Sequence, residues 1–76
     1  MTIAIPRLSR IDIWADTPAD GVARIEIIQD GRLMEQVAFS LRDGIFTHHA
    51  ARVYEPVTVL IAAPPEAYQS LRVIVR

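Results

Sequence analysis

The sequence predicts an all-β protein: a small antiparallel β-sandwich or partly open barrel of five to seven short strands, with one helical turn near residues 65–70. The first observation is hydrophobic alternation with a period of two, which places one face of each strand on a core. The second is that turn-forming residues recur about every ten to thirteen positions, a spacing typical of small sandwiches and barrels. We expect residues 1–76 to form a single domain.

The first strands follow from alternation at the start of the chain. Ile11 and Ile13 alternate with Asp12 and Trp14, and turn-forming residues 16–21 end this segment. The expected strands cover residues 8–15, 22–29, 32–41, 45–53, 57–62 and 71–75, and residues 2–5 are expected to add a short edge strand.

The dipeptide Asp30-Gly31 predicts a hairpin between the second and third of these strands. A two-residue turn would pair positions whose numbers sum to 61, and it would place Glu26 opposite Glu35. A three-residue turn with a G1 bulge pairs positions that sum to 60, and it places Ile27 opposite Leu33. Because apolar residues then face apolar residues, we predict the bulged turn.

A second hairpin is expected at Asp43-Gly44, and its register stays open. Glu35 interrupts an otherwise apolar face, and a buried carboxylate needs a partner. A bulged turn would place His49 diagonal to Glu35, whereas a two-residue turn would place Arg52 opposite it. We predict a buried polar pair of Glu35 and His49, with a structural role.

The segment 57–63 is apolar almost throughout and is bracketed by Pro56 and Pro64. A strand that is apolar on both faces must be covered on both faces. A helical turn at 65–70 would supply partial cover, and if it does not, a partner must. The terminal strand 71–75 is rich in Val and Ile, so an edge position would make it a template for another chain. The predicted interface residues are Val57, Val59, Leu60, Ile61, Val73, Ile74 and Val75.

Composition excludes several classes of protein. The chain has no cysteine, which excludes a disulfide scaffold or a zinc finger, and it has no apolar run long enough to span a membrane. All eight basic residues are Arg, which with ten Ala indicates a GC-rich bacterial or phage genome. The start of the chain lacks the pattern of a signal peptide, so we expect a cytoplasmic protein.

Small barrels also bind single-stranded nucleic acid by stacking bases on aromatic side chains in a basic groove. Such a face would contain Trp14, Phe46, His48 and Arg52. The net charge of −1 and the pI of about 6.0 argue against a strong phosphate-binding surface, so this is the alternative hypothesis.

The sequence contains no recognisable catalytic motif. The adjacent His48 and His49 point to opposite faces of a strand and cannot share a metal ion, so we predict no metal site. We also predict no cofactor and no catalytic residue. We expect a non-catalytic protein-interaction module, a small accessory or inhibitor subunit that docks through the apolar strand or a sheet edge, or that self-associates as a homo-oligomer. A small enzyme or ligand-binding domain is the second alternative.

Overall fold

The computed structural model describes residues 1–43, 47–50 and 53–76, with side chains described for 1–42 and 53–76. The strands are β1 (Thr2–Ile5), β2 (Ile11–Ala15), β3 (Val22–Gln29), β4 (Arg32–Ser40), β5 (Thr47–Ala50), β6 (Val57–Ala62) and β7 (Leu71–Val75), and the 3-10 helices are η1 (Leu41–Asp43) and η2 (Pro65–Ser70). The predicted all-β fold is therefore confirmed. The strand predicted at residues 8–15 begins only at Ile11, because Leu8 has a φ of 63° and turns the chain before it.

The strands form two antiparallel sheets. The four-stranded sheet has the order β1-β6-β3-β4, and the three-stranded sheet has the order β5-β2-β7. Both sheets contribute alternate apolar side chains to one core, so the molecule is a β-sandwich. The core residues are Ile5, Ala23, Ile25, Ile27, Val57, Val59 and Ile61 from the four-stranded sheet, Ile11, Ile13, Ala15 and Leu71 from the three-stranded sheet, and Leu41 and Ala67 from the 3-10 helices.

The turn between β3 and β4 differs from the predicted one. Gln29 pairs with Arg32, so the loop has two residues. Asp30 has a φ of 50° and Gly31 a φ of 74°, and two central residues with positive φ are the mark of a type I′ turn. Asp tolerates the left-handed region and Gly adopts it without steric cost, which is why this dipeptide supports the tighter turn.

The bulge lies inside the hairpin. Ile28 pairs with Leu33 and Ile27 pairs with Glu35, which leaves Met34 as the extra residue of β4. The predicted pairing of Ile27 with Leu33 is therefore wrong. The bulge shifts the register by one position. On the side of the bulge away from the turn, apolar residues then lie opposite each other: Ile25 opposite Val37 and Ala23 opposite Phe39.

Close packing joins the loop before β3 to the connection after β6. Gly21 has a φ of 107°, and a Cβ atom built on it would lie 2.6 Å from Cγ of Pro64. The carbonyl of Gly21 accepts a hydrogen bond from the Leu41 N–H at 2.9 Å. Only glycine fits here, because both the backbone conformation and the proline ring exclude a side chain.

The predicted helical turn is the 3-10 helix η2. Its Ala67 is fully buried, and Tyr68 packs against the core. The Tyr68 hydroxyl donates to the Ile61 carbonyl at 3.1 Å and accepts from the Ala63 N–H at 3.1 Å. The helix is thereby fastened to the end of β6, where it covers one end of the core.

Candidate functional site

Most of the predicted interface on β6 belongs to the core. Val57, Val59 and Ile61 are at most 7% exposed, so their prediction as interface residues is wrong. β6 lies between β1 and β3, and this central position satisfies its backbone on both sides. Leu60 points to the outer face and is half-buried, which leaves the second apolar face of the strand without a covering layer among the described elements.

The terminal strand β7 does lie at an edge, that of the three-stranded sheet. Val73 packs against the core, whereas Ile74 and Val75 are 39% and 40% exposed. Arg72 shields the start of this edge, because its side chain donates to two backbone carbonyls and forms an ion pair with Asp16 at 2.7 Å. β7 thus offers a short edge that is guarded at one end.

The predicted nucleic-acid face is described only in part, because Phe46 and Arg52 lie outside the described residues. Trp14 is half-buried, and its indole N–H donates to Asp16 Oδ1 at 3.0 Å. The backbone of His48 pairs with that of Ile13. Arg72 lies opposite Trp14 in the sheet and forms an ion pair with Asp16, so the described charges beside Trp14 balance.

The predicted burial of Glu35 with His49 is wrong for Glu35, and the side chain of His49 lies outside the described part of the structure. Glu35 is exposed in the four-stranded sheet, while His49 lies in β5, whose backbone pairs with β2 of the other sheet. The expected hairpin between β4 and β5 is absent because the 3-10 helix η1 follows β4 and the chain then crosses to the second sheet. Arg52, which the alternative register placed opposite Glu35, lies outside the described residues.

The buried carboxylate of the described chain is Asp12, which the sequence reasoning missed. Its side chain is 8% exposed and lies 3.1 Å from Arg10 Nη2 and 3.8 Å from Arg76 Nε. The signal was present in the sequence, since Asp12 is flanked by Ile11 and Ile13 within a strand and has an Arg two positions before it, on the same face. Within the residues that carry described side chains, no three metal-binding groups gather into a site.

The longest open edge is β4, a nine-residue strand that ends the four-stranded sheet. No other described strand pairs with its outer side. Its first half carries the features that usually discourage strand addition: the charges of Arg32 and Glu35 and the bulge at Met34. Its second half, residues 36–40, has neither a charge nor a proline.

The hydrogen bond at the end of β4 shows which backbone groups are open. The Leu41 N–H donates to the carbonyl of Gly21, and these two residues continue the register of β3 and β4. Because bonded and non-bonded pairs alternate along an antiparallel ladder, the backbone groups of Gln36, Ala38 and Ser40 point away from β3. This row of outward donors and acceptors, together with the side chains of residues 36–40, is the β4 edge.

Side chains around the β4 edge are only partly covered. Val37 and Phe39 face the core side and are half-buried, while Gln36, Ala38 and Ser40 are exposed on the outer face. A shallow depression of about 270 Å³ lies beside them, lined by Val22, Arg24, Gln36 and Ala38. Such a volume falls below the usual range of small-molecule sites, so the edge suits an extended chain better than a compact ligand.

No helix in the described part of the chain has the length and apolar character needed to cross a membrane. Comparison with known proteins found no matching family model, no matching curated protein and no matching solved structure.

Proposed function

We propose that this chain is a non-catalytic protein-interaction module, a small accessory or inhibitor subunit that docks another polypeptide on the β4 edge. The observation that carries the proposal is the uncharged, proline-free second half of β4, whose outward backbone groups no described strand satisfies. An added strand would gain main-chain hydrogen bonds from these groups and specificity from the side chains beside them.

Comparison among the edges favours β4. β1 and β5 have four residues each, and β1 ends at Ile5, before Pro6. β7 has five residues, with Arg72 held across its start. β4 has nine residues, which is more than twice the length of β1 or β5 and nearly twice that of β7. Since each added residue pair contributes to strand addition, the longest unguarded edge is the best docking site.

The size of the molecule supports the same function. A chain of 76 residues buries only about 60% of its unfolded surface, and this one has no cysteine with which to form a disulfide. Small domains of this kind commonly gain stability by association. The half-buried Val37 and Phe39 would become covered once a strand lies against β4.

The alternatives have less support. The net charge of −1 argues against a strong phosphate-binding surface, and the exposed Glu35 lies in the four-stranded sheet whereas the backbone of His49 belongs to the three-stranded sheet. The nucleic-acid and enzyme hypotheses, like the cytoplasmic location, stay predictions.

Site-specific photocrosslinking tests the proposal. A benzophenone amino acid is placed at Ala38 on the edge or, as the matched control, at Ala62. Both alanines are exposed and pair with Arg24 from opposite sides, but Ala62 lies inside the sheet. We expect protein adducts from position 38 and none from position 62 in extracts of the native host. Equal labelling at both positions, or none at either, would refute docking at the β4 edge.

A further inference from the structure

Resting on this proposed function, we propose that the strand docked on the β4 edge is β4 of a second copy of the chain. Two four-stranded sheets would then join into one continuous sheet of eight strands around a twofold axis. Three features of the edge support this partner: the phase of its hydrogen bonds, the order of its side chains and the position of its charges.

The hydrogen-bond phase restricts the register. The outward backbone groups belong to even-numbered residues, so bonded pairs must join an even position to an even position of the second copy. A twofold axis at Ala38 meets this requirement, because Ala38 pairs with its own copy and Gln36 pairs with Ser40. Every outward group of the β4 edge finds a partner in this register.

Side chains select this register from its neighbours. With the axis at Ala38, Val37 lies opposite Phe39 of the second copy, and the pair occurs twice. An axis at Gln36 or Val37 would instead place the charged Glu35 opposite the half-buried Val37 or Phe39, whereas in the chosen register the residue opposite Glu35 is Leu41, which is already buried in its own core. The chosen register joins the half-buried side chains of the two copies and extends both cores across the junction.

Charges agree with the same arrangement. The neutral segment 36–41 lies between Glu35 and Arg42, which have opposite signs. Antiparallel pairing reverses the order in the second copy, so Glu35 of each chain lies at the end of the junction where η1 of the other chain carries Arg42. Arg42 forms an ion pair with Asp20 in which both side chains are highly exposed, and so exposed a pair is weak enough for the guanidinium to exchange between Asp20 and Glu35 of the second copy. No like charges meet.

Solution mass and a proline variant give the first test. Light scattering over a range of concentrations should give twice the 8.5-kDa mass of the chain. Ala38→Pro removes only an outward N–H, and edge positions tolerate proline, so it should keep the native circular dichroism and lose the dimer. A wild-type monomer at every concentration would overturn the inference, and so would a folded A38P protein that remains dimeric.

Disulfide trapping tests the register and does not depend on the proline. The chain has no cysteine, so Ala38→Cys and Ala62→Cys each introduce one thiol. In the proposed dimer the two copies of position 38 are about 5.5 Å apart between Cα atoms, within disulfide range. We expect A38C to form a covalent dimer in a glutathione redox buffer and A62C to stay monomeric. Equal trapping of both variants would overturn the arrangement.

The outcomes separate this inference from the proposed function. If the protein is monomeric but photocrosslinks a foreign protein from position 38 only, the second copy is refuted as the occupant and docking at the β4 edge stands. If neither a dimer nor an adduct specific to position 38 is found, both fail.

Discussion

Replacing Gly21 by alanine tests the close packing between the loop before β3 and Pro64. The new methyl group would lie 2.6 Å from Cγ and 3.3 Å from Cδ of the proline, on a backbone with a φ of 107°. The positive φ costs about 1–2 kcal/mol, and forcing the methyl group into the contact costs about 1–3 kcal/mol more. We therefore expect Gly21→Ala to destabilise the fold by about 2–5 kcal/mol.

A double-mutant cycle divides this cost. Pro64→Ala removes the two nearest atoms and leaves only Cβ, at 3.8 Å, an ordinary contact distance. Pro65 follows and keeps position 64 extended, so the loop retains its conformation. In this background Gly21→Ala should cost only the backbone part, about 1–2 kcal/mol. The coupling energy between the two positions is then about 1–3 kcal/mol.

Urea denaturation of the four proteins measures the cycle. Gly31→Ala is the control, since Gly31 has a φ of 74° but no atom within 4 Å of the added methyl group, and it should cost about 1–2 kcal/mol. A coupling energy below about 0.5 kcal/mol, the usual limit of additivity, would refute the steric reasoning. So would a Gly31→Ala cost equal to that of Gly21→Ala.

Three further tests probe the sandwich itself. Ile13→Ala, at a fully buried position, should destabilise by about 2–5 kcal/mol in urea denaturation, whereas the exposed Ile74→Ala should change stability by less than about 0.5 kcal/mol; equal costs would contradict the assigned core. Tyr68→Phe removes a hydroxyl that forms hydrogen bonds with two backbone groups, so we expect thermal melts to show a loss of about 1–3 kcal/mol in the free energy of unfolding. No loss would indicate that water replaces the hydroxyl. Arg42→Ala breaks an ion pair whose side chains are 76% and 82% exposed, so its melting temperature should match that of the parent at 0.15 M salt, and a drop of several degrees would show a stronger role.

Strand positions were predictable because alternation and turn chemistry act locally. The segment containing Ile25 and Ile27 alternates cleanly and forms a strand with those residues in the core. The helical turn at Pro65 was likewise predicted from proline at its first position. The register of the hairpin was harder to predict, because it depends on both the tight turn and the bulge at Met34. Neither the turn residues nor the apolar pairing beyond the bulge gives the register alone.

The candidate site was less predictable, since it depends on which strands become neighbours. The apolar segment 57–62 was predicted to form an interface, but it is a central strand and most of its apolar side chains pack in the core. Glu35 could be placed near His49 only by assuming that consecutive strands pair, whereas the chain crosses to the second sheet after η1. The β4 edge could be identified only from the order of the strands in the four-stranded sheet.

The pairing of the first strands with the last has a consequence for how the chain folds. β1 pairs with β6 and β2 with β7, and the amino group of Met1 donates to the carbonyl of Ile61, 60 positions away. A topology dominated by such distant contacts closes long loops before it gains their energy, so folding is expected on the millisecond-to-second scale. During synthesis the β3–β4 hairpin is complete early, but neither sheet closes until β6 and β7 have emerged, so the nascent chain exposes unpaired strand edges until β7 is made.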